Sequence, residues 1–201
     1  MKKIVFVPRT EQDLIDHRDH KIGTADTLKT SWGNNYQILT LDFSGKFDID
    51  DGGQLYVMGG HGMPGSGVVF WEKESNWLPA ETVAERTAER FPDRTGVSIK
   101  IYSCHSSEGG YNSFANRFAR AFRPIGGTYE VTIFGYRGAT TPNPKTLTEG
   151  NVSISNASKC FPPGYTGPTA SVVAGRHTVG RRQTFICSKV APQKLGIRSH
   201  G

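Results

Sequence analysis

The sequence predicts an α/β fold: a central, mainly parallel sheet flanked by helices, followed by a C-terminal β-hairpin appendage. In the middle of the chain, strand-like apolar runs alternate with amphipathic helical patterns, the order that builds parallel sheets through crossover helices. After Gly138 the chain changes to loops and short strand-like runs. We therefore expect one domain over residues 1–201, with an α/β core over 1–138 and a β-rich appendage over 139–201.

Five runs are predicted as strands of the core. They cover residues 2–8, 36–43, 54–60, 97–104 and 128–138. The first is closed by a proline. The third, "QLYVMGG", is apolar on both faces, as central parallel strands are.

Two helices are predicted between these strands. In "LPAETVAERTAERF" the apolar positions recur every three or four residues, and the glutamates fall on the other side. The inward set is Ala80, Val83, Ala84, Thr87, Ala88 and Phe91. In "YNSFANRFARAF" Phe114, Phe118 and Phe122 recur every fourth residue. These two stripes predict helices that pack on the sheet.

Bulk composition fits a soluble globular protein and excludes several classes. Hydrophobic residues make up 36% of the chain and charged residues 21%. No apolar run approaches the roughly 20 residues that span a bilayer. The apolar stretch before Arg9 is too short for a secretory signal. We therefore expect synthesis in a cytosol without a secretory signal, while export by a machinery that reads other signals stays open.

The net charge and the cysteines leave two questions open. A formal charge of +6 fits an ordinary basic surface, which we favour, or an anionic partner such as a polyphosphate, nucleic acid or acidic lipid. The three cysteines are Cys104, Cys160 and Cys187, with no zinc-knuckle spacing. A Cys160–Cys187 disulfide is conceivable, but two free thiols are favoured in a reducing cytosol.

Two of the predicted strands end in side chains that carry chemistry. "LYVMGGHG" brings His61 to the end of one strand, and "VSIKIYSC" brings Cys104 to the end of the next. Sites in parallel sheets form beyond the carboxyl ends of the strands. An imidazole beside a thiol raises the thiolate fraction or takes the proton during attack. Taken singly, each motif is more often structural; together they favour a cysteine nucleophile with His61 as its base.

The neighbouring residues complete this prediction. The backbone amides of Gly62 and Cys104 would point at a developing oxyanion. His105 is a rival base, but side chains alternate on an extended chain, so we expect it to point away from the thiol. Glu108 lies near in sequence and has no assigned role.

Other sequence features that suggest a binding site are better explained as ordinary structural elements. His17 and His20 lie one helical turn apart, but no third ligand is in sight, so no metal site is predicted. "GMPGSG" lacks the Lys-Ser/Thr of a phosphate loop. Trp71 and "NWLP" would line a substrate pocket or pack in the interior, and packing is favoured.

The order of these motifs resembles the caspase-like cysteine peptidases. Within that clan, Gly60-His61-Gly62, the following helix and the cysteine strand are most similar to the self-processing protease domains of RTX-type and clostridial glucosylating toxins. The similarity covers residues 55–138. It implies a caspase-like fold and a cysteine endopeptidase with His61 and Cys104 as its dyad, acting on a host protein or on its own chain as a toxin or effector.

The resemblance also implies an activator. Inositol hexakisphosphate would bind a basic pocket in the C-terminal region, for which the sequence offers Arg176, Arg181, Arg182 and Lys189. A solvated basic tail is an equal alternative. No cofactor is implied for the chemistry itself, and neither a nucleic-acid partner nor a membrane span is expected.

Two other functions stay open. A thiol acyltransferase or deamidase would use the same dyad, since a fold does not fix the reaction. The chain would otherwise be a non-catalytic α/β binding module. The residue on whose carboxyl side a peptidase would cut is not predicted.

Overall fold

A computed structural model of the chain describes residues 3–16, 25–71, 73–124, 129–136, 148–149, 152–153 and 182–188. In chain order, its elements are β1 (Lys3–Phe6), α1 (Glu11–Asp16), α2 (Ala25–Trp32), β2 (Tyr36–Leu39), β3 (Gln54–Gly62), β4 (Val68–Trp71), β5 (Lys73–Pro79), α3 (Ala80–Ala88), β6 (Thr95–Ser103), a 3-10 turn (Gly110–Asn112), α4 (Phe114–Ala121), β7 (Glu130–Tyr136), β8 (Thr148–Glu149), β9 (Val152–Ser153) and β10 (Arg182–Ser188).

One sheet organises most of these elements. Its main path runs in the order β10-β7-β6-β3-β1-β2. The strands from β2 to β7 along this path are parallel to their neighbours, and β10 is antiparallel to β7. The sheet curls where β3 continues into the antiparallel hairpin of β4 and β5. The predicted mixed α/β architecture is therefore confirmed.

The sheet is covered on both faces, which explains why its central strands are apolar throughout. On one face, Val57 and Ile101 belong to the larger core, together with Val83 of α3 and Phe118 of α4. On the other face, neighbouring residues of the same strands pack beneath α1 and α2. This second cluster contains Val5, Val7, Leu14, Leu28, Trp32, Ile38, Tyr56, Met58, Tyr102 and Tyr136.

The two predicted helices form where the apolar stripes indicated. All five inward residues of α3 are buried, and Phe91 is buried just beyond its end. Helix α4 begins after Ser113, whose hydroxyl accepts a hydrogen bond from the Asn116 amide at 3.4 Å. Because both stripes face the same side of the sheet, α3 and α4 pack together beneath the strand ends of β3 and β6.

Several boundaries differ from the prediction. β3 extends through His61 and Gly62, and β6 ends at Ser103, so the histidine lies within its strand while the cysteine begins a turn. The hairpin of β4 and β5 was not predicted. β10, predicted within the appendage, forms the edge of the main sheet. β8 and β9 form a separate two-residue ladder.

Candidate active site

The ends of β3 and β6 lie side by side. These parallel strands pair Met58 with Tyr102, and after a one-residue shift they pair Gly60 with Ser103. His61 is the next residue of β3, and Cys104 begins the turn directly after β6. Because neighbouring strands lie about 4.8 Å apart, the backbone positions of the histidine and the cysteine are adjacent. The structure thus brings the two predicted residues together; their catalytic role stays a prediction.

The glycine after the histidine is required by this close approach. A Cβ atom at Gly62 would overlap the carbonyl oxygen of Cys104 and lie 3.4 Å from the Ser103 hydroxyl oxygen. Gly60, with a φ of 91°, adopts a backbone conformation that other residues rarely take. The two glycines beside His61 therefore allow the backbone of β3 to approach the backbone of Cys104 closely.

The two candidate side chains differ in exposure. His61 is partly exposed. Cys104 is a buried thiol with 9% of its surface exposed. His61 is thus accessible at the surface, whereas Cys104 is largely shielded from bulk water.

The turn that begins at Cys104 is fastened to the sheet by one serine. The Ser106 hydroxyl donates to the Ile101 carbonyl at 3.0 Å and accepts from the Tyr136 amide at 2.9 Å. Its own carbonyl accepts from the Ala115 amide at 2.8 Å. Ser106 therefore joins β6, β7 and α4 around the cysteine.

A second buried serine precedes the cysteine. Ser103 is 1% exposed, and among the described residues its hydroxyl oxygen has no hydrogen-bond partner. Buried hydroxyls are usually paired. A Cβ atom added at Gly62 would lie 3.4 Å from this hydroxyl oxygen, so the hydroxyl lies close to the end of the histidine strand. In the sequence, the only signal for Ser103 is its position directly before Cys104.

His105 does not follow the expected alternation. The chain at this residue is a turn with a φ of 54°, so the argument from an extended strand does not apply to it. Its Nδ1 atom lies 2.9 Å from a carboxylate oxygen of Glu108. The second imidazole of the region is thus engaged by a carboxylate three residues further along the chain.

The loops that follow the two strand ends touch each other. The Gly65 amide donates to the Glu108 carbonyl at 2.9 Å. A Cβ atom at Gly109 would overlap the Cα atom of Gly65. The loop after the histidine is therefore held directly against the loop after the cysteine.

An ion pair lies beneath the histidine loop. Arg117 of α4 donates from Nε and from a terminal nitrogen to the two carboxylate oxygens of Glu81 on α3, both at 2.8 Å. The Arg117 side-chain hydrogen bond lowers the pKa of Glu81, and the same bond raises the pKa of Arg117. A Cβ atom at Gly67 would overlap the guanidinium, so the pair also supports the loop. Both residues lie off the apolar stripes of their helices, where the sequence pattern does not indicate that they pair.

Another arginine reaches the carboxyl edge of the sheet. Arg9 follows β1, the neighbour of β3, and only 6% of it is exposed. Burial lowers the pKa of Arg9 to about 10, against an opposing effect of Asp13. Its guanidinium thus stays charged at neutral pH. No sequence pattern indicates this burial, because arginine after a strand is usually solvated.

The other predicted residues fall largely outside the described part of the chain. Only the backbone of Arg182 is described; it begins β10 opposite Tyr136. Those beyond the described residues are Arg176, Arg181 and Lys189 of the predicted polyanion site, His17 and His20, and Cys160.

The described residues contain neither a cluster of metal ligands nor a membrane-spanning helix. Among those side chains, no group of three or more His, Cys, Asp or Glu residues could hold a metal ion. Over the same residues, no helix combines the length and the apolar character needed to cross a membrane.

Comparison of the chain with protein-family models, with curated proteins and with solved structures finds no match.

Proposed function

We propose that this chain is a cysteine endopeptidase of caspase-like fold, with Cys104 as nucleophile and His61 as general base. The observation that carries the proposal is the register of β3 and β6, which sets these residues next to each other at the ends of adjacent parallel strands. The contact between Gly62 and the Cys104 carbonyl supports it, because it brings the amide-bearing backbones of both residues to one place.

The fold supports the caspase-like assignment. The parallel pairs β3–β6 and β6–β7 are joined by crossovers that contain α3 and α4. Helices cover both faces of the sheet, as the resemblance implied. The order of the motifs in the sequence thus agrees with their order in the sheet.

The chemistry follows from a thiol beside an imidazole. His61 takes the proton of the Cys104 thiol, and the sulfur attacks the carbonyl carbon of a peptide bond. The amides of Gly62 and Cys104 stabilise the oxyanion. The imidazolium then returns the proton to the departing amine, leaving a thioester. Water, deprotonated by His61, hydrolyses the thioester and regenerates the thiol.

The substrate of this reaction is a polypeptide: a host protein or another part of its own chain, as in a bacterial toxin or effector. We include inositol hexakisphosphate as an activator. The position of Arg182 supports this activator, since Arg182 pairs with Tyr136 of β7. The Tyr136 amide donates to the Ser106 hydroxyl, and its carbonyl accepts from the Ser107 amide, so Tyr136 is bonded to the cysteine turn. A polyanion at Arg182 would therefore bind one strand away from that turn.

The proposal is tested with electrophilic peptide probes and a protein substrate. Wild type is expected to cleave the protein and to be labelled on Cys104, as located by mass spectrometry. Cys104→Ala should lower cleavage at least about a thousandfold, and His61→Ala about a hundredfold or more. His105→Ala is the matched control, an imidazole of the same edge, and should keep cleavage within a few-fold of wild type.

Two outcomes would contradict the proposal. Undiminished cleavage by Cys104→Ala removes the nucleophile. A larger loss in His105→Ala than in His61→Ala reassigns the base. Transfer of the acyl group to an added amine without hydrolysis would favour the acyltransferase alternative.

The activator is tested by the rate at which a probe labels Cys104, with and without inositol hexakisphosphate. The rate should rise with the activator in wild type and rise less in Arg182→Ala. A rate that stays constant at saturating inositol hexakisphosphate would remove the activator from the proposal and leave the dyad untouched.

A further inference from the structure

Trp77 is an exposed tryptophan close to the candidate site. It lies on β5, and 46% of its surface is exposed. Trp32, by contrast, is 2% exposed within the aromatic cluster beneath α1 and α2. A large aromatic side chain left in water is energetically unfavourable, and such residues are enriched where proteins bind other molecules. The sequence alone favoured packing for this segment, and the structure shows the indole exposed instead.

The strand register shows which face Trp77 occupies. Val69 of β4 pairs with Gly62 on one side and with Leu78 on the other. Val69 and Leu78 are both buried in the core beneath α3 and α4. Beyond this row the ladder of β4 and β5 is irregular, between Val69 and Trp71. Trp77 directly precedes the buried Leu78 and is itself exposed, so it lies on the face opposite the core. Alternation places His61, which precedes Gly62 in the same row, on that face too. The indole therefore shares a face with the candidate base.

The spacing between the two side chains matches a short length of peptide. Gly62 and Leu78 both pair with Val69, so they lie about two strand spacings apart, roughly 10 Å, and the backbones of His61 and Trp77 directly precede them. An extended peptide advances about 3.3 Å per residue. A substrate with its scissile bond at the dyad thus brings its third residue, on one side of that bond, to the indole.

Other exposed apolar side chains lie on segments next to the same edge. Met63 follows the histidine strand and is 47% exposed; Tyr111 follows the cysteine turn and is 66% exposed. The Arg120 guanidinium covers part of the Tyr111 ring at 3.7 Å. Two further exposed apolar side chains therefore lie on the segments that follow the two strand ends, which favours an apolar occupant over a charged one.

We propose that Trp77 is a substrate-binding residue that receives a large apolar or aromatic side chain about three residues from the scissile bond of an extended polypeptide. This inference rests on the proposed peptidase function and assigns it a specificity determinant. The indole contacts the substrate side chain and takes no part in proton transfer.

The test is a peptide library cleaved by wild type, Trp77→Ala and Trp77→Phe, with the cleavage sites mapped by mass spectrometry. Wild type should prefer Phe, Tyr, Trp or Leu at the third position on one side of the bond. Trp77→Ala should lose that preference and raise KM by about tenfold, with kcat little changed. Trp77→Phe should restore most of the preference. Ile15→Ala, which removes an equally exposed apolar side chain from α1, should leave the preference intact.

Failure of this inference is separable from failure of the proposed function. A wild type that cleaves peptides with a preference unchanged by Trp77→Ala overturns the subsite and leaves the peptidase. A wild type that cleaves no peptide, with a Cys104 no more reactive than an ordinary thiol, overturns both. Labelling of Cys104 by iodoacetamide should be equal in wild type and Trp77→Ala, which shows that the indole acts on the peptide and not on the dyad.

Discussion

The two strand ends that form the candidate site are held in different ways. The cysteine turn is fastened by hydrogen bonds from Ser106 to two strands, and it lies in the core. The histidine strand continues into an exposed loop and a hairpin. Its position depends on close backbone contacts at Gly62 and Gly65, and on the ion pair of Glu81 with Arg117.

This difference shows two ways of fixing a reactive group. A hydrogen-bonded turn is sensitive to the loss of a single polar group. A close backbone contact is sensitive to the gain of a single methyl group. Substitutions that remove atoms should therefore damage the cysteine side, and substitutions that add atoms should damage the histidine side.

The largest effect is expected from Gly62→Ala. The new methyl group would overlap the Cys104 carbonyl, which is backbone and cannot move aside cheaply. We expect the free energy of unfolding to fall by about 2–3 kcal/mol, and cleavage to be lost because the strand ends separate. Urea unfolding measures the first and the protein-cleavage assay the second.

Gly59→Ala is the control for that substitution. Its methyl group would lie 3.1–3.3 Å from side-chain atoms of Val69 and Ser103, which can shift slightly. Its loss of stability should be clearly smaller than that of Gly62→Ala. Equal losses would show that the contact with the cysteine carbonyl is not what constrains the histidine side.

A moderate effect is expected from Ser106→Ala on the cysteine side. The substitution leaves the Tyr136 amide and the Ile101 carbonyl without the hydroxyl, at a cost of about 2 kcal/mol in the free energy of unfolding. Ser107→Ala is the matched control. Its side chain is equally buried, but its hydroxyl has no hydrogen-bond partner among the described residues, so the change should be near zero. If urea unfolding finds the two variants alike, the turn is not held by Ser106.

The smallest effect is expected from Glu81→Gln, and it depends on pH. The pKa of Glu81 is lowered in the folded protein, so its ion pair contributes stability above the pKa of the unfolded chain, near 4. That contribution is lost as the pH falls through the lowered folded value. Because both partners are partly exposed, we expect about 0.5–1 kcal/mol at pH 7 and a progressively smaller difference as the pH falls below about 4.

Unfolding of wild type and Glu81→Gln across this pH range measures the difference. Glu85→Gln, an exposed acid of the same helix, is the control. A gap between wild type and Glu81→Gln that stays constant down to pH 2 would contradict the role of the ionised carboxylate.

Periodicity predicted the elements whose packing is regular. The apolar stripe of α3 and the phenylalanines of α4 identified the buried side chains correctly, because helices on a sheet expose one face and bury the other. The apolar runs of β3 and β6 identified two central strands. The neighbouring positions of His61 and Cys104 followed from these strands and from the rule that sites form at their carboxyl ends.

Three local features could not be predicted from the sequence, because each departs from the regular patterns of strands and helices. The alternation used for His105 holds only for extended backbone, and this residue lies in a turn. The hairpin of β4 and β5 has glycines and a proline before it that indicate a loop, so its strands and the exposure of Trp77 were missed. The pairing of Glu81 with Arg117 depends on how two helices lie relative to each other, and no local sequence pattern predicts that arrangement.

The extra residue in β3 at Gly59 and Gly60 determines which groups meet. Had the pairing of Met58 with Tyr102 continued without that shift, Gly60 would stand level with Cys104 and His61 level with His105. Two imidazoles would then face each other, and the sulfur would have only a glycine beside it. A single inserted glycine thus removes one regular pair from the ladder and shifts β3 by one residue relative to β6. This shift places the imidazole, and not a glycine, beside the cysteine.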